Sequence, residues 1–251
     1  MRKVSFIVWA TMLMSLLSSN AIFAQQDSTA KKNPFSASCD LMSRYIWRGT
    51  DFGDAPSIQP SASFSKKNFT IGAWGAIATS LNGYQETDIY VSYAYKFMSL
   101  TVTDYFFPSN VTPYKYFDYN DLSTGHVIEA SLAFTGTKKI PLTVMLATNV
   151  YGADSRKINS DGSNGGIQYS TYAEIAYAFK NINVFMGTNL TNINRDNGET
   201  GYYGNYMGVV NLGLSTTKNI KITEQYSLPL SVSLITNPQA ENIYLVAGFS
   251  F

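Results

Sequence analysis

The sequence predicts an all-β fold: a single antiparallel, transmembrane up-and-down β-barrel of twelve strands, set in a bacterial outer membrane. Three observations predict it. The chain opens on an export signal, it closes on an aromatic-ended strand, and its side chains alternate apolar and polar almost throughout.

The signal peptide is expected over residues 1–24. Arg2 and Lys3 form its positive start, Val4 to Leu17 its apolar stretch, and small residues from Ser18 lead to cleavage after Ala24. That stretch is short for a membrane-spanning helix, which needs about 20 residues, and no later run approaches that length. A polar lead over 25–34 then precedes the barrel, expected over 35–251.

The last strand supports the same reading. Ile243, Leu245, Ala247, Phe249 and Phe251 share one face, as a strand with one oily side requires. Leu245, Phe249 and Phe251 are the residues expected to signal assembly to the barrel-assembly machinery, and outer-membrane lipid is the expected surrounding.

The first strand is placed at 35–49. Phe35, Ala37, Cys39, Leu41, Tyr45 and Trp47 fall on its lipid side, with Ser36, Ser38, Asp40, Met42, Arg44 and Arg48 opposite. Tyr45 and Trp47 would then stand in an interfacial aromatic girdle, or in the lumen if the parity were reversed. Ile58 to Phe64 and Phe69 to Ile77 repeat the split, with Trp74 on the polar side. Ile89 to Phe97 oppose Glu86, Asp88, Ser92 and Lys96 in the fourth strand. Further strands are expected near 99–107, 124–135, 141–151, 167–180, 181–192, 204–216, 221–235 and 242–251.

The connections alternate in kind. Short joins, several of them basic, lie at 66–68, 97–99, 136–139, 180–181 and 217–219, against longer polar ones at 50–56, 81–85, 108–123, 152–166, 193–203 and 236–241. Barrels of the outer membrane have this asymmetry of tight periplasmic turns and longer outer loops. Two residues fit poorly. Asp104 falls on the apolar face of the fifth strand, which predicts a bulge, and Glu224 does so in the eleventh.

Ser43 to Thr50 (SRYIWRGT), then Pro56-Ser57-Ile58-Gln59 and Gly72-Ala73-Trp74, resemble the opening of the Gcw family of exported proteins of Gram-negative bacteria. Tyr105-Phe106-Phe107-Pro108 is similar to the aromatic-proline end of that family's fifth strand. The resemblance implies an outer-membrane barrel and brings no activity, ligand or catalytic residue.

Composition excludes several classes. Without Arg2 and Lys3, the 18 Lys and Arg fall to 16 against 17 Asp and Glu, so no nucleic-acid partner is expected. Cys39 is the only cysteine, which rules out an internal disulfide and the cysteine-based zinc patterns. Neither a metal nor a cofactor is expected. The one histidine, His126, and Ser131 fall on opposite faces of the sixth strand, so no serine hydrolase site and no enzyme is expected.

The remaining candidates line the lumen: Asp40, Arg44, Arg48, Glu86, Asp88, Lys96, Glu129 and Glu174, with Trp74 and Tyr105 as aromatic candidates beside Tyr45 and Trp47. The two arginines do not neighbour the sixth and eighth strands along the wall, but they could reach Glu129 or Glu174 across the barrel. Such charges either fill the interior as ion pairs or form a selective constriction. Twelve strands about 4.8 Å apart, tilted about 40°, give a radius of roughly 12 Å. Inward Arg44, Arg48, Trp74, Tyr172 and Phe185 could narrow or shut that space. The function expected first is a passive channel for small polar solutes. The alternative is a closed structural or surface-interaction barrel acting through its outer loops, with a lipid-acting enzyme third by strand-number analogy alone.

Overall fold

The structure is a computed structural model, and it describes residues 33–80, 83–108, 115–137 and 139–251. The expected signal peptide and most of the polar lead lie outside the described residues. Twelve antiparallel strands close into one barrel. They are β1 (Phe35–Met42), β2 (Ser57–Lys66), β3 (Phe69–Ala78), β4 (Gln85–Tyr95), β5 (Met98–Phe106) and β6 (His126–Phe134). The second half comprises β7 (Leu142–Gly152), β8 (Thr171–Phe179), β9 (Ile182–Asn189), β10 (Gly208–Lys221), β11 (Ser227–Asn237) and β12 (Asn242–Ser250).

Each strand pairs with its neighbours in sequence, and β1 meets β12 at the seam through Asp40↔Ser250, Leu41↔Phe249 and Met42↔Gly248. Phe251 extends the seam by exchanging two backbone hydrogen bonds with Cys39, at 3.0 and 3.1 Å. Closure leaves no open strand edge in the wall.

Alternation sorts the side chains as the pattern requires. Ile71, Val91, Val102, Leu132, Leu146, Ile175, Val184, Leu214 and Leu245 form an exposed apolar band outside. Towards the short-turn end the band gives way to aromatic rings: Phe35 against Phe64 at 4.9 Å, Phe69 against Tyr93 at 5.0 Å and Phe97 against Phe134 at 5.4 Å. Inside, that end is lined by hydroxyls, among them Thr70, Ser92, Ser99, Thr101, Ser131 and Ser231. Lys67, Lys96 and Lys180 each begin a two-residue turn there with φ near +55°, the left-handed backbone that such tight hairpins demand.

Several expectations are corrected. The first strand stops at Met42, so Arg44, Tyr45, Trp47 and Arg48 are not in the wall. Lys96 does not face the lumen; it is an exposed turn residue whose ammonium lies 5.2 Å from the Tyr95 ring centre. The fifth strand has no bulge, since β5 keeps an unbroken register with both neighbours and Asp104 stays on the outer face. β10 runs to Lys221, so the tenth join is the turn at 222–226 and not 217–219. Glu224 therefore sits in that turn, paired with Lys221 at 2.6 Å.

Register in the barrel wall does shift twice, both times at the long-loop end. Val150 is the extra residue where Glu129 pairs Asn149 while Ile128 pairs Tyr151. Val210 is the extra residue where Gly187 pairs Asn211 while Thr188 pairs Val209. The second bulge positions the candidate site.

Candidate functional site: a hairpin plug in the barrel mouth

The site begins where β1 leaves the wall. Ser43 donates the last ladder bond to the Ala247 carbonyl at 2.8 Å, but its hydroxyl, not its carbonyl, accepts from the Ala247 amide at 2.9 Å. The chain is then free to turn inward. Ile46–Trp47 and Thr50–Asp51 pair as a small hairpin closed by Arg48 and Gly49, with φ of 49° and 82°. Two successive left-handed residues are what a type I′ turn requires. The aromatic-x-aromatic-Arg-Gly signature is thus one arm of this hairpin and its turn.

Gly49 is needed twice over. Its φ suits glycine, and a Cβ there would overlap the carbonyl oxygen of Val210, which the β10 bulge pushes toward the hairpin. Asn237 of β11 donates to the Gly49 carbonyl at 3.3 Å. The tip therefore rests against β10 and β11.

Arg48 ends the hairpin inside. It gives Glu129 of β6 two hydrogen bonds, at 2.5 and 2.9 Å, and a third to the Tyr203 hydroxyl at 2.7 Å. Its guanidinium lies 4.4 Å from the Trp47 ring centre, 4.6 Å from Tyr172 and 5.0 Å from Tyr203. The charge is thus paired and faced by rings on several sides, which burial of an ion demands. Glu129 also accepts from Tyr105 at 3.2 Å and from Tyr203 at 2.8 Å. Glu174 takes no part in that pair; Tyr172 donates to it at 2.5 Å and Asn211 at 3.2 Å. Gly187 leaves the space that the Tyr172 ring occupies.

Of the two places expected for Tyr45 and Trp47, girdle or lumen, the structure puts both in the lumen. Tyr45 is buried against Trp74 at 5.3 Å and Phe52 at 5.5 Å, and Trp47 meets Tyr105 at 5.5 Å and Tyr203 at 5.9 Å. Arg44 is corrected too. It is held near the mouth by Asp51 at 2.6 Å and by Asp54, with about a third of its side chain exposed. Asp40, Glu86 and Asp88 keep their inward parity, the last two fully buried.

Loop residues complete the site. Tyr84, Phe107, Tyr202 and Tyr203 join Trp47, Arg48 and Phe52 around a cavity of about 410 Å³ at the mouth. Tyr84 and the Tyr202-Tyr203 pair were not among the sequence candidates. Their signal was present as aromatic rings inside otherwise polar connections.

A second loop folds outward. Residues 115–125 lie over the outer face of β5 and β6, where Asp104 and His126 project. The His126 ring nitrogens meet the Asp104 carboxylate at 2.7 Å and the Tyr116 carbonyl at 2.6 Å, and Tyr119 stacks on the imidazole at 4.2 Å. Tyr119 donates to Asp104 at 3.0 Å. Asp104 is tolerated on an apolar face because this loop covers it. Ser131 is on the lumen side of the wall, away from the imidazole.

No curated protein matches this chain. A family model described as a bacterial protein of unknown function, Gcw_chp, matches residues 26–226, which takes in the plug, its Glu129 partner, the first ten of the twelve strands and the turn that follows β10. The chain belongs to the Gcw family.

Proposed function

We propose that the protein is an outer-membrane barrel that passes small polar solutes through a lumen narrowed by its own hairpin. The exposed apolar band, the aromatic rings at the short-turn end and the closed wall support the membrane setting. In that setting the short turns face the periplasm and the plug faces outward. The C-terminal strand is what the assembly machinery reads.

One observation carries the channel reading. Arg48 on the hairpin turn and Glu129 on β6 form a charged pair inside a lumen that also carries Glu86, Asp88, Glu174 and, toward the short-turn end, a row of hydroxyls. A guanidinium and a carboxylate at a constriction act on passing solutes by charge as well as by width. The test is conductance in planar bilayers. The wild type should give small discrete steps, and Arg48→Ser, which frees the tip, should give larger ones. Electrical silence of both proteins over a wide voltage range would remove the reading.

The alternative is a closed barrel acting through its loops. Anchoring of the plug on β6, β10 and β11 supports it, as does the clamp of residues 115–125 on the outer wall. Silence of both proteins, together with loss of a surface phenotype on deletion of residues 153–168, would support it over the channel.

A further inference from the structure

Six rings at the barrel mouth touch one after another. Phe107 lies 6.0 Å from Tyr84, and Tyr84 lies 5.0 Å from Phe52. Phe52 is 6.0 Å from Trp47, Trp47 is 5.9 Å from Tyr203, and Tyr203 is 4.9 Å from Tyr202. Four separate segments supply them: the residue after β5, the β3–β4 loop, the plug and the β9–β10 loop. In a filled core such rings would hide their faces against one another and their neighbours. Here all but Tyr203 are only half-buried, and all six line the cavity of about 410 Å³. The arc therefore presents ring faces to a space that suits a small organic molecule.

Arg48 lines the same cavity and is 8% exposed. A guanidinium carries five N–H groups in a fixed fork. The hydrogen bonds to Glu129 and Tyr203 use two of them from Nη1 and one from Nη2. The Nε–H and the second Nη2 hydrogen have no acceptor among the described residues. A buried donor left without an acceptor is costly, and an oxygen of a bound molecule removes that cost.

The lining sets the class of molecule. Glu129 already neutralises Arg48, and no carboxylate is among the described residues that line the cavity. Neither an anion nor a cation therefore finds an uncompensated partner there. Tyr84 and Tyr203 direct their hydroxyls to Glu86 and Glu129. Thr50, Tyr202 and the two N–H groups of Arg48 are left, too few for the hydroxyls of a sugar ring. The rest of the lining is Gly125, Val127 and Ala153. A flat neutral ring stacks on aromatic faces and on the guanidinium, and it needs only one oxygen for the free donors.

We propose that the mouth cavity, walled by the aromatic arc and anchored by Arg48, binds a small neutral aromatic molecule bearing a carbonyl oxygen. This goes beyond the channel reading. It needs the seated plug and does not depend on conduction.

The test is calorimetry on the full chain refolded in micelles, with titrations into empty micelles subtracted. Benzamide is the probe. Its comparators are cyclohexanecarboxamide, with the same amide on a puckered ring, benzoate, with the same ring and a charge, and glucose. Benzamide should give a saturable heat, and cyclohexanecarboxamide should bind roughly fivefold more weakly because it cannot stack. Benzoate should bind no more tightly than benzamide, and glucose should give no saturable heat. Tyr202→Ala removes the last ring of the arc but no hydrogen-bond partner of Arg48 or Glu129, and should weaken benzamide roughly fivefold. Phe107→Leu, at the other end of the arc, keeps apolar bulk, should also weaken benzamide, and serves if Tyr202→Ala fails to assemble. Heat-modifiable migration on gels checks assembly of both. Equal binding of cyclohexanecarboxamide, tighter binding of benzoate, saturable heat from glucose, assembled variants that bind like the wild type, or no saturable heat from benzamide would overturn the proposal. Electrical silence in bilayers would leave a titration result standing, and absence of binding would leave conductance standing, so the two readings fail separately.

Discussion

Arg48 and Glu129, 81 residues apart, meet inside the barrel through two hydrogen bonds of 2.5 and 2.9 Å. Their side chains are 8% and 2% exposed, so neither has water as a substitute partner. The pair fastens a hairpin born on β1 to a strand halfway round the wall.

Removing one member should therefore be expensive. Arg48→Ser leaves Glu129 with only Tyr105 and Tyr203, and should cost about 3–5 kcal/mol in urea unfolding of the folded barrel. Arg44→Ser, at the partly exposed mouth, should cost at most about 1 kcal/mol. Equal effects of the two substitutions would contradict the placement of the plug.

Gly49→Ala tests the seat of the tip. A methyl there meets the Val210 carbonyl, and the left-handed backbone alone costs an L-residue about 1–2 kcal/mol. The hairpin should lift, raising conductance and exposing Trp47 to aqueous quenchers. Unchanged quenching would mean that the tip rests elsewhere.

His126→Ala tests the outer clamp. The imidazole holds Asp104 and the Tyr116 carbonyl together under Tyr119. Without it, residues 115–125 should detach and trypsin should cut at exposed Lys115, while heat-modifiable migration persists. Resistance at Lys115 would show that stacking alone suffices.

Two loop carboxylates titrate low for a stated reason. The Asn120 amide and then the Ser123 hydroxyl hold Asp118 below the ordinary 3.8, and the Ser163 hydroxyl and amide do the same for Asp161. A depressed folded value means that the contribution is present above the unfolded value and is lost as pH falls through the folded one. Carboxyl NMR titration should give midpoints below 3.8 for both, with the 118–123 and 161–163 turns loosening only beneath them. Midpoints at or above 3.8 would deny these hydrogen bonds in solution.

The seam supplies the last prediction. Phe251 makes both its backbone bonds with Cys39 while its ring stands exposed at the aromatic end of the band. Phe251→Asp should accumulate unassembled chain that lacks heat-modifiable migration. Normal migration would argue against the proposed assembly signal.

Much of the wall was legible because each strand from β2 to β9 has a wet face and an oily face, and period two records that contrast directly. The same contrast hid the plug. Arg44 to Arg48 alternate just as a wall strand does, because the hairpin arm is itself a strand with rings on one side and charge on the other. Only Ser43 marks the departure, through a hydroxyl standing in for a carbonyl, which no local pattern reveals. The end of β10 was misplaced because Thr216 to Lys221 are mostly polar on both faces, leaving no contrast to read. The sequence lets Arg48 reach across to Glu129 or Glu174, but the choice between them rests on the β10 bulge and Tyr203, which are long-range.

The plug also carries information about completeness. It springs from the first strand, yet its supports are Glu129 in β6, Val210 in β10 and Asn237 in β11. A chain stalled midway through synthesis or insertion offers the arginine its carboxylate but no shelf for the glycine beside it. Only the closed cylinder offers the hairpin all of these supports at once, so a seated plug reports that the strands up to β11 are in place.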